Sequence, residues 1–256
     1  MLEDTIFYYD GINSGDMKVI SANTSSGLFE ESFLPSRSIR EESIRGRHKP
    51  YFLGYDLSPF TFPLKLVFDK INSEEKREIS RWLLVDYYKP LYFQSNPDRI
   101  FYCMYEGDVE EFHNGLDQSY IELTMRCNSP FSYSPAYSTT VYDFSSNVAG
   151  GTEISFQNHG DAEVMPYIIL EKIEDGDISI LNLSNNSQEL KMTGIWNGDL
   201  INIDCENETI ETEVAGVYRY NNHNNVFLQF PRGVNRLVVS GKCKIQFKYQ
   251  FITYQG

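Results

Sequence analysis

The residues best suited to acid–base chemistry are neighbouring carboxylates, which occur at several points along the chain. Glu41-Glu42, Glu74-Glu75 and Glu110-Glu111 are the clearest pairs. A glycosidase requires two carboxylates that face each other roughly 5–10 Å apart across a cleft, and nothing in the sequence singles out such a pair. We therefore interpret these residues as solvated groups on loops or helix surfaces and predict no hydrolytic site.

Metal-binding chemistry has one local candidate, the run Glu174-Asp175-Gly176-Asp177. Its oxygens suit calcium, but the run lacks the ligand spacing of an EF-hand loop. Asp-Gly is first of all a turn signal, so the sequence favours a tight hairpin turn here. The histidines lie far apart, and no Cys/His cluster has zinc-like spacing, so we predict no metal site. These histidines are His48, His113, His159 and His223.

No phosphate loop, nucleophile elbow or dinucleotide fingerprint occurs, so the sequence predicts a protein that needs no cofactor and is not an enzyme. A sugar-binding surface is the remaining candidate site, because Trp stacks on sugar rings and Asn or His can bond hydroxyls. Trp196 and the segment Asn221-Asn222-His223-Asn224-Asn225 would form it. Trp196 directly precedes a tight turn, which favours packing at the end of a sandwich, and the Asn run favours a solvated loop.

The chain carries a formal charge of −14, from 22 basic and 36 acidic residues. Such a chain should repel phosphate-rich partners, so we expect neither specific nucleic-acid binding nor binding to anionic membranes. No apolar run approaches the roughly 20 residues that span a bilayer, and Met1–Thr5 lack the features of a secretion signal. The four cysteines form no C-x-x-C pair, which favours buried free thiols, with a disulfide between two of them left open. They are Cys103, Cys127, Cys205 and Cys243.

Period-two alternation of apolar and polar residues is the strongest local signal and predicts a mainly β fold. Ile121–Cys127 and Ile245–Phe251 both predict half-buried antiparallel strands. Asn197-Gly198-Asp199 adds a second predicted hairpin turn. Shorter runs at Ile154–Gln157, Tyr167–Glu171, Leu200–Cys205, Val226–Phe230 and Arg236–Ser240 predict further strands, and the close turns indicate a sandwich or barrel in the second half.

One segment, about residues 73–88, predicts a helix. Asn72 and Ser73 are good N-caps, and Glu74-Glu75 place negative charge in the first turn. Ile79, Trp82 and Leu83 share one face, and Pro90 would end the helix. A single helix in a β-rich half predicts an α+β N-terminal domain whose helix packs on a sheet. The Ser- and Pro-rich segment Ser129–Pro135 then divides the chain into predicted domains 1–133 and 134–256.

Several segments, in order and spacing, resemble the distal tail proteins of long-tailed bacteriophages. Arg47-His48-Lys49-Pro50 departs from the resemblance, because relatives often have Asp-Gly there. The matching segments are Ile44–Arg47, Phe62–Phe68 leading into the helix, Tyr102–Asp108, Ile121–Cys127 with the exit Asn128–Tyr133, Asn158–Glu163 with Pro166, Gly198–Cys205 and Phe230–Asn235.

The resemblance implies a structural protein of the virion tail tip, assembled in the host bacterial cytoplasm. Six N-terminal β domains would close into a ring around a central channel for DNA passage, and a galectin-like or carbohydrate-module-like β-sandwich would project outward. The implied partners are other copies of the chain, the tail tube protein and the tail-tip hub or tail-associated protein, with tape-measure and receptor-binding proteins beyond them. The alternative function is a carbohydrate-binding β-sandwich module that acts in host receptor recognition.

Overall fold

The computed structural model describes residues 6–22, 34–113 and 118–254. Contacts between Cα atoms divide the chain into two units: the first runs to Ser134 and also takes the chain from Thr253, and the second is Pro135–Ile252. Within the first unit, the Ser132 hydroxyl donates to the Thr253 carbonyl. Met1–Thr5, on which the expectation about a secretion signal rests, lie outside the described residues.

The first unit contains eleven described strands before the second unit begins. They are β1 Phe7–Tyr9, β2 Ile12–Asn13, β3 Ile20–Ser21, β4 Arg37–Glu42, β5 Tyr51–Leu57, β6 Thr61–Asp69, β7 Lys89–Phe93, β8 Asn96–Glu106, β9 Glu111–His113, β10 Gln118–Cys127 and β11 Ser132–Tyr133. Most of them form one antiparallel sheet in the order β2-β1-β7-β8-β10-β6-β3, with β9 beside β10 and β11 beside β8, and a separate two-stranded sheet pairs β4 with β5.

The long central strand β10 confirms the alternation seen in the sequence. Leu123, Met125 and Cys127 are buried, while the residues between them face away from the core. The strand pairs with β6 in an unbroken register that ends at Arg126 opposite Thr61. One face of the sheet can therefore bury a continuous apolar stripe, as expected for a half-buried antiparallel strand.

The single described helix, α1 (Ser73–Leu83), packs on this sheet as predicted. Asn72 is the N-cap: its side-chain oxygen accepts from the backbone N–H groups of Glu74 and Glu75, and Glu75 reaches back to the Asn72 N–H. Trp82 anchors the helix, because its indole stacks on Phe7 and donates from Nε1 to the Tyr9 carbonyl at 2.9 Å. Ile79 and Leu83 bury the rest of the apolar face.

The predicted end of the helix near residue 88 was wrong. The helix ends at Leu83, and Leu84 leaves helical geometry with ψ of 79°. Leu84 and Tyr87 are exposed, so continuing the helix would bury nothing more. The chain instead turns toward β7, which pairs with both β1 and β8.

The second unit is a β-sandwich. One sheet has the order β12-β21-β15-β18-β19 with β13 beside β21, and the other has the order β14-β20-β16-β17. Buried side chains of both sheets form one apolar cluster. The strands are β12 Tyr137–Ser138, β13 Tyr142–Asp143, β14 Thr152–Asn158, β15 Tyr167–Lys172, β16 Gly176–Asn182, β17 Gln188–Ile195, β18 Leu200–Asp204, β19 Thr209–Thr212, β20 Gly233–Ser240 and β21 Cys243–Tyr249. The last strand of the chain, β22 (Ile252–Thr253), pairs with β11 and belongs to the sheet of the first unit.

The chain turns at Glu174–Asp177 and at Asn197–Asp199 as predicted, but the prediction that each turn closes a hairpin was wrong. Each links a strand of one sheet to a strand of the other, β15 to β16 and β17 to β18, so the flanking strands do not pair. The two turns instead hydrogen-bond to each other: the Asn197 N–H donates to Asp175 at 2.7 Å, and the Glu174 N–H donates to the Asn197 side chain at 2.8 Å. Asp-Gly reverses the chain in both geometries, so the turn signal alone does not distinguish them.

The predicted strand at Val226–Phe230 was also wrong, although its alternate residues Leu228 and Phe230 are buried. Side-chain amides occupy the place of a partner strand. Gln188 donates to the Phe227 carbonyl at 2.8 Å and accepts from the Gln229 N–H at 2.9 Å. Phe230 alone pairs with a residue of another segment, in an isolated antiparallel bridge to Val164, so the segment does not form a strand.

Burial of all four cysteines is confirmed, and each is a free thiol in this structure. Cys103 lies directly opposite Cys127 on neighbouring strands, and a hydrogen bond between the thiols followed by burial raises the pKa of Cys103. Burial raises the pKa of Cys205 and of Cys243 to about 12. No helix in the described part of the chain combines the length and apolar character that crossing a membrane would require.

Candidate functional site

The most unusual feature of the first unit is the hairpin of β4 and β5, which we call the arm (Leu34–Leu57). Its two strands form a sheet of their own. Every residue from Ser36 to Leu53 is exposed, and none of the arm's side chains belongs to the core cluster. An isolated two-stranded hairpin is marginally stable in water, which indicates that a partner supports the arm.

The arm exposes apolar side chains that would normally be buried. Phe52 is 67% exposed and Leu53 is 63% exposed, and Ile39 lies directly opposite Tyr55, also both exposed. A bulge between Arg40 and Glu41 leaves Leu53 without a cross-strand partner. Ile39 and Tyr55, neighbours across the two strands, form an exposed apolar pair of the kind that marks an interaction site.

The arm's tip and edges are ordered by local contacts. Ile44–Arg47 forms the turn, in which the Arg47 N–H donates to the Ile44 carbonyl at 3.0 Å and Gly46 takes a φ of +91° that favours glycine. The Arg47 guanidinium lies 4.6 Å from the centre of the Tyr51 ring. Arg40 Nε lies 3.0 Å from Asp56 Oδ2.

The arm is basic in an otherwise acidic chain. It contains five basic and three acidic residues, a net charge of +2 against −14 for the whole chain. An acidic, partly apolar surface is therefore the complement that the arm fits best.

The first unit carries such a surface, which we call the acidic aromatic patch (Glu106–His113 and Tyr120). Phe112 and Tyr120 are cross-strand partners whose rings stack with centroids 5.0 Å apart, and both are exposed, as is Val109. Residues 106–113 are all exposed and include four carboxylates and no Lys or Arg. Rings and carboxylates side by side match the arm's mixture of apolar and basic side chains.

Two of the patch carboxylates are already paired within the unit. Glu111 forms an ion pair with Lys76, which lowers the pKa of that carboxyl. Glu106 lies 3.5 Å from Arg126. Within the described ranges, Asp108 and Glu110 make no ion pair, so their charge is available to a cation from outside.

The arm and the aromatic part of the patch lie toward opposite ends of the same strand pair. The arm leads into β6 at Thr61, which faces Arg126, whereas Phe112 and Tyr120 lie where β9 flanks the other end of β10 at Ser119–Ile121. Six residues of extended chain separate the two ends by about 20 Å. Two complementary surfaces at separate places on one protomer are what a head-to-tail contact between copies requires.

The paired carboxylates of the sequence serve surface and capping roles, and the structure does not bring them together across a cleft. Glu75 caps α1 and pairs with Lys18, Glu41-Glu42 lie on the arm, and Glu110-Glu111 lie in the patch. In the Glu174–Asp177 run, Asp175 and Asp177 accept backbone N–H groups of Asn197 and Gly194. Across residues 6–22, 34–113 and 118–254, no group of three His, Cys, Asp or Glu side chains is placed to hold a metal ion.

The four histidines fall at four separate places. His48 is at the exposed tip of the arm, His113 ends β9 in the patch, and His159 is exposed in the second unit. His223, which the sequence placed in a solvated loop, is buried beside Phe227 with ring centroids 4.8 Å apart. Its Nδ1 accepts from the Asn225 N–H at 3.2 Å, and its Nε2 has no hydrogen-bond partner in the described chain.

Burial lowers the pKa of His223, which makes the stability of the second unit sensitive to acid. The unfolded chain takes up this proton near pH 6.5, whereas the folded chain does so only at lower pH. Stability that is present above about pH 6.5 is therefore lost as the pH falls toward the lowered pKa. Urea unfolding between about pH 7 and pH 5 should show a steeper loss for the natural protein than for His223→Phe, which keeps the ring contact. His48→Phe, at an exposed site, is the control; parallel curves for the natural protein and His223→Phe would contradict the prediction.

Trp196 and the Asn-rich segment are both engaged in contacts within the second unit. Trp196 is 51% exposed, and one face of its indole lies over the Arg219 guanidinium at 4.3 Å. Asn221, Asn224 and Asn225 are exposed, as a solvated loop predicts, but Asn222 and Asn224 donate to the carbonyls of Thr193 and Glu189, along the edge of β17. These amides complete the sheet edge and are engaged in the fold.

Comparisons with known proteins identify the same kind of protein along nearly the whole chain. A family model of a phage tail protein N-terminal domain matches residues 2–129, and a model of a phage tail C-terminal domain matches residues 135–249. The chain is 32% identical over 250 residues to the SPbeta prophage-derived uncharacterized protein YomH of Bacillus subtilis (strain 168), covering 97% of this chain and 98% of that protein.

Solved structures show the same fold. The Dit protein (gp 19.1) of phage SPP1, described as a paradigm of the hub adsorption apparatus in phages that infect Gram-positive bacteria, matches with a TM-score of 0.68 and 17% identity over 96% of this chain and 99% of that one. A chain of the phage P2 baseplate in its activated conformation matches with a TM-score of 0.56 and 10% identity, covering 95% and 97%. The chain therefore belongs to the phage tail protein family, and it has the fold of a Dit protein.

Proposed function

We propose that this protein is a structural ring component of the phage tail tip, in which six copies surround a central channel and join the tail tube to the tail-tip hub. The arm carries this proposal, because it is a two-stranded sheet of its own whose large apolar side chains, such as Phe52 and Leu53, stay exposed beside the described part of the unit. The family match and the Dit fold support the place in the virion. The proposed role is architectural and involves no catalytic turnover.

The ring contact follows from the two surfaces of the first unit. The arm of one copy packs on the acidic aromatic patch of the next, with Phe52 and Leu53 against Phe112 and Tyr120. Burying one large apolar side chain contributes about 1.5–3 kcal/mol, and these four begin partly or largely exposed. Asp108 and Glu110 then face the arm's basic residues, which favours the correct register over arm-to-arm contacts.

Each copy offers one arm and one patch, so a row of copies always ends in an unused arm and an unused patch that can bind a further copy. Such heterologous contacts close into a ring when the rotation between copies allows it. Tail tube protein would contact one rim of the ring and the hub the other, with host-adsorption components anchored there. Because the chain is acidic outside the arm, the wall of the channel would repel DNA phosphates, and the DNA would pass without binding to it.

The mass of the assembled species tests the proposal. The purified full chain, alone and mixed with tail tube protein of the same phage, is measured by sedimentation velocity and imaged by negative-stain electron microscopy. We expect a discrete closed species with a central hole and a mass near six chains in at least the mixture. A strictly single-chain mass in both samples, at protein concentrations up to about 100 μM, would contradict the proposal. That concentration exceeds the Kd of a contact that contributes about 6 kcal/mol.

A further inference from the structure

Two cysteines of the first unit, Cys103 and Cys127, lie directly opposite each other on the neighbouring antiparallel strands β8 and β10. They exchange no backbone hydrogen bonds with each other. The Asn128 N–H donates to the Tyr102 carbonyl at 3.0 Å, one position along, and the Cys127 N–H donates to the Phe60 carbonyl at 2.8 Å on the other side of β10. Residues opposed in this way have Cα atoms about 4.5 Å apart and the closest side chains of an antiparallel pair. A disulfide joins Cα atoms about 4.4–6.8 Å apart, so the backbone already has the required spacing.

The two side chains also meet. Both belong to the apolar core of the first unit, each is 0% exposed, and one thiol hydrogen-bonds to the other. This hydrogen bond, followed by burial, raises the pKa of Cys103. The thiolate is the species that attacks in thiol–disulfide exchange, so we expect exchange at this pair to be slow and to require opening of the strands.

The pair lies at one end of the ladder that joins the two halves of the main sheet. β8 and β10 are in register over four residue pairs, from Cys103 opposite Cys127 to Glu106 opposite Thr124, whereas β10 and β6 are in register over nine. Cys127 is the last residue of β10. The ends of strands open at a lower free energy than the core of a fold, so a small reagent can reach these thiols while the rest of the unit stays folded.

The segment between the two cysteines carries the acidic aromatic patch, since Glu106–His113 and Tyr120 all fall between positions 103 and 127. A bond from Cys103 to Cys127 would close this segment into a loop of about 25 residues, which restricts the unfolded chain and thereby stabilises the folded one. The patch would then remain tied to both β8 and β10 when the short ladder between them opens.

The two cysteines of the second unit are too far apart to form such a bond with each other. The Cys205 N–H donates to the carbonyl of Pro166, at the start of β15, whereas Cys243 lies opposite Lys172, at the end of β15. Six residues of extended strand span about 20 Å. This is well beyond the roughly 7 Å that a disulfide bridges between Cα atoms.

From this arrangement we propose that Cys103 and Cys127 are a redox-sensitive pair, free in a reducing cytoplasm and joined by a disulfide once the protein reaches an oxidising medium. The change of compartment rests on the proposed function, because a virion component leaves the host cytoplasm when the cell lyses. The bond itself forms within one chain and requires no ring.

The reaction is exchange with a small-molecule disulfide such as oxidised glutathione. One cysteine thiolate attacks the glutathione S–S bond, forms a mixed disulfide and releases the first glutathione thiolate. The second cysteine thiolate attacks the protein sulfur of the mixed disulfide and releases the second. One S–S bond forms in the protein, and the glutathione S–S bond is reduced to two thiols, which take up the two cysteine protons.

Peptide mapping of the full-length protein tests the proposal. The reduced, folded protein is incubated with oxidised glutathione for about 48 h, beyond the hours that disulfide exchange takes. The remaining thiols are alkylated in denaturant, and the chain is digested with trypsin, which cleaves after Arg126 and so places Cys103 and Cys127 on separate peptides. We expect two of the four thiols to be lost and these two peptides to be joined. Four free thiols, glutathione left on either cysteine in place of the link, or a link between any other pair would overturn the proposal.

Thermal unfolding with and without reductant measures what the bond does. The oxidised natural protein should show the transition of the first unit about 10 °C higher than the reduced protein. Cys127→Ala should show no such difference and lose no thiol to glutathione. Cys205→Ala, which also removes one buried thiol, should behave as the natural protein.

Each variant is compared with itself in two buffers, so a change in stability caused by the substitution alone does not affect the result. The peptide map of the natural protein requires no variant to fold. Equal transition temperatures for the oxidised and reduced natural protein would refute the role of the bond in fastening β8 to β10. None of these measurements depends on assembly, so failure of this proposal and failure of the ring are distinguishable.

Discussion

Asp199→Asn is expected to lower the free energy of unfolding of the second unit by about 3–5 kcal/mol. Asp199 is fully buried as a side chain and pairs with Arg219, whose Nε donates to Oδ2 at 2.8 Å. The Thr212 hydroxyl donates to the other oxygen at 2.5 Å. Removing the carboxylate leaves the Arg219 charge buried without a counter-ion, which costs far more than an exposed pair would.

Glu153→Gln provides the matched control for this prediction. Glu153 and Arg236 also form a close pair, with two contacts at 2.7 and 2.9 Å, but both side chains are about half exposed. Its loss should change the stability far less, because water screens an exposed ion pair. Calorimetry of the full chain separates the outcomes, because the second unit's transition should fall by on the order of 10 °C in Asp199→Asn and hardly move in Glu153→Gln. Equal shifts in the two variants would refute a dominant role of burial.

Phe52→Asp is expected to abolish assembly while leaving the fold intact. Phe52 is 67% exposed in the single chain, so its replacement removes little burial within the unit. In the proposed ring contact it is a central anchor, and loss of such an anchor costs about 2 kcal/mol or more, about 30-fold in affinity at each contact. Sedimentation velocity should show single chains, and circular dichroism and thermal unfolding should match those of the natural protein.

Charge reversal tests whether the patch is the acceptor of the arm. Asp108→Lys with Glu110→Lys should weaken assembly, and Arg45→Glu with Arg47→Glu in the arm should restore part of it when combined with the first pair. Asp16→Lys, an exposed acidic residue of the same unit outside the patch, should have little effect. If both pairs weaken assembly and their combination is merely additive, the arm contacts a different surface.

The sequence predicts the elements of this fold better than their connections. The N-cap at Asn72 and the buried stripe of β10 depend on neighbouring residues, and both are confirmed. The end of α1 at Leu83 depends on the pairing of β7 with distant strands, which local spacing does not report. Likewise, Val226–Phe230 alternates like a strand, but amides from Asn182 and Gln188 replace its ladder.

The candidate site was only partly accessible from the sequence. Ile44–Arg47 stood out through its resemblance to a family motif, but no alternation in the sequence predicted the strands on either side of it. Ile39, Phe52 and Tyr55 have the residue types of a core strand, and only the tertiary structure shows that nothing in the described chain covers them. Phe112 and Tyr120 are eight positions apart, and their stacking requires the pairing of β9 with β10. The one available signal was the density of acidic residues from Glu106 to Glu111.

The passage of the chain from one sheet to the other has a consequence for how fast the second unit folds. Because the turns at Glu174–Asp177 and Asn197–Asp199 join strands that do not pair, β15 finds its partners in β18 and in β21, the latter more than 70 residues downstream. Pairings this distant must close long loops before any of their energy is gained, and proteins rich in them fold in milliseconds to seconds. Only the local pairs β16–β17 and β18–β19 can form early, so the sandwich core becomes complete only after β21 has been synthesised.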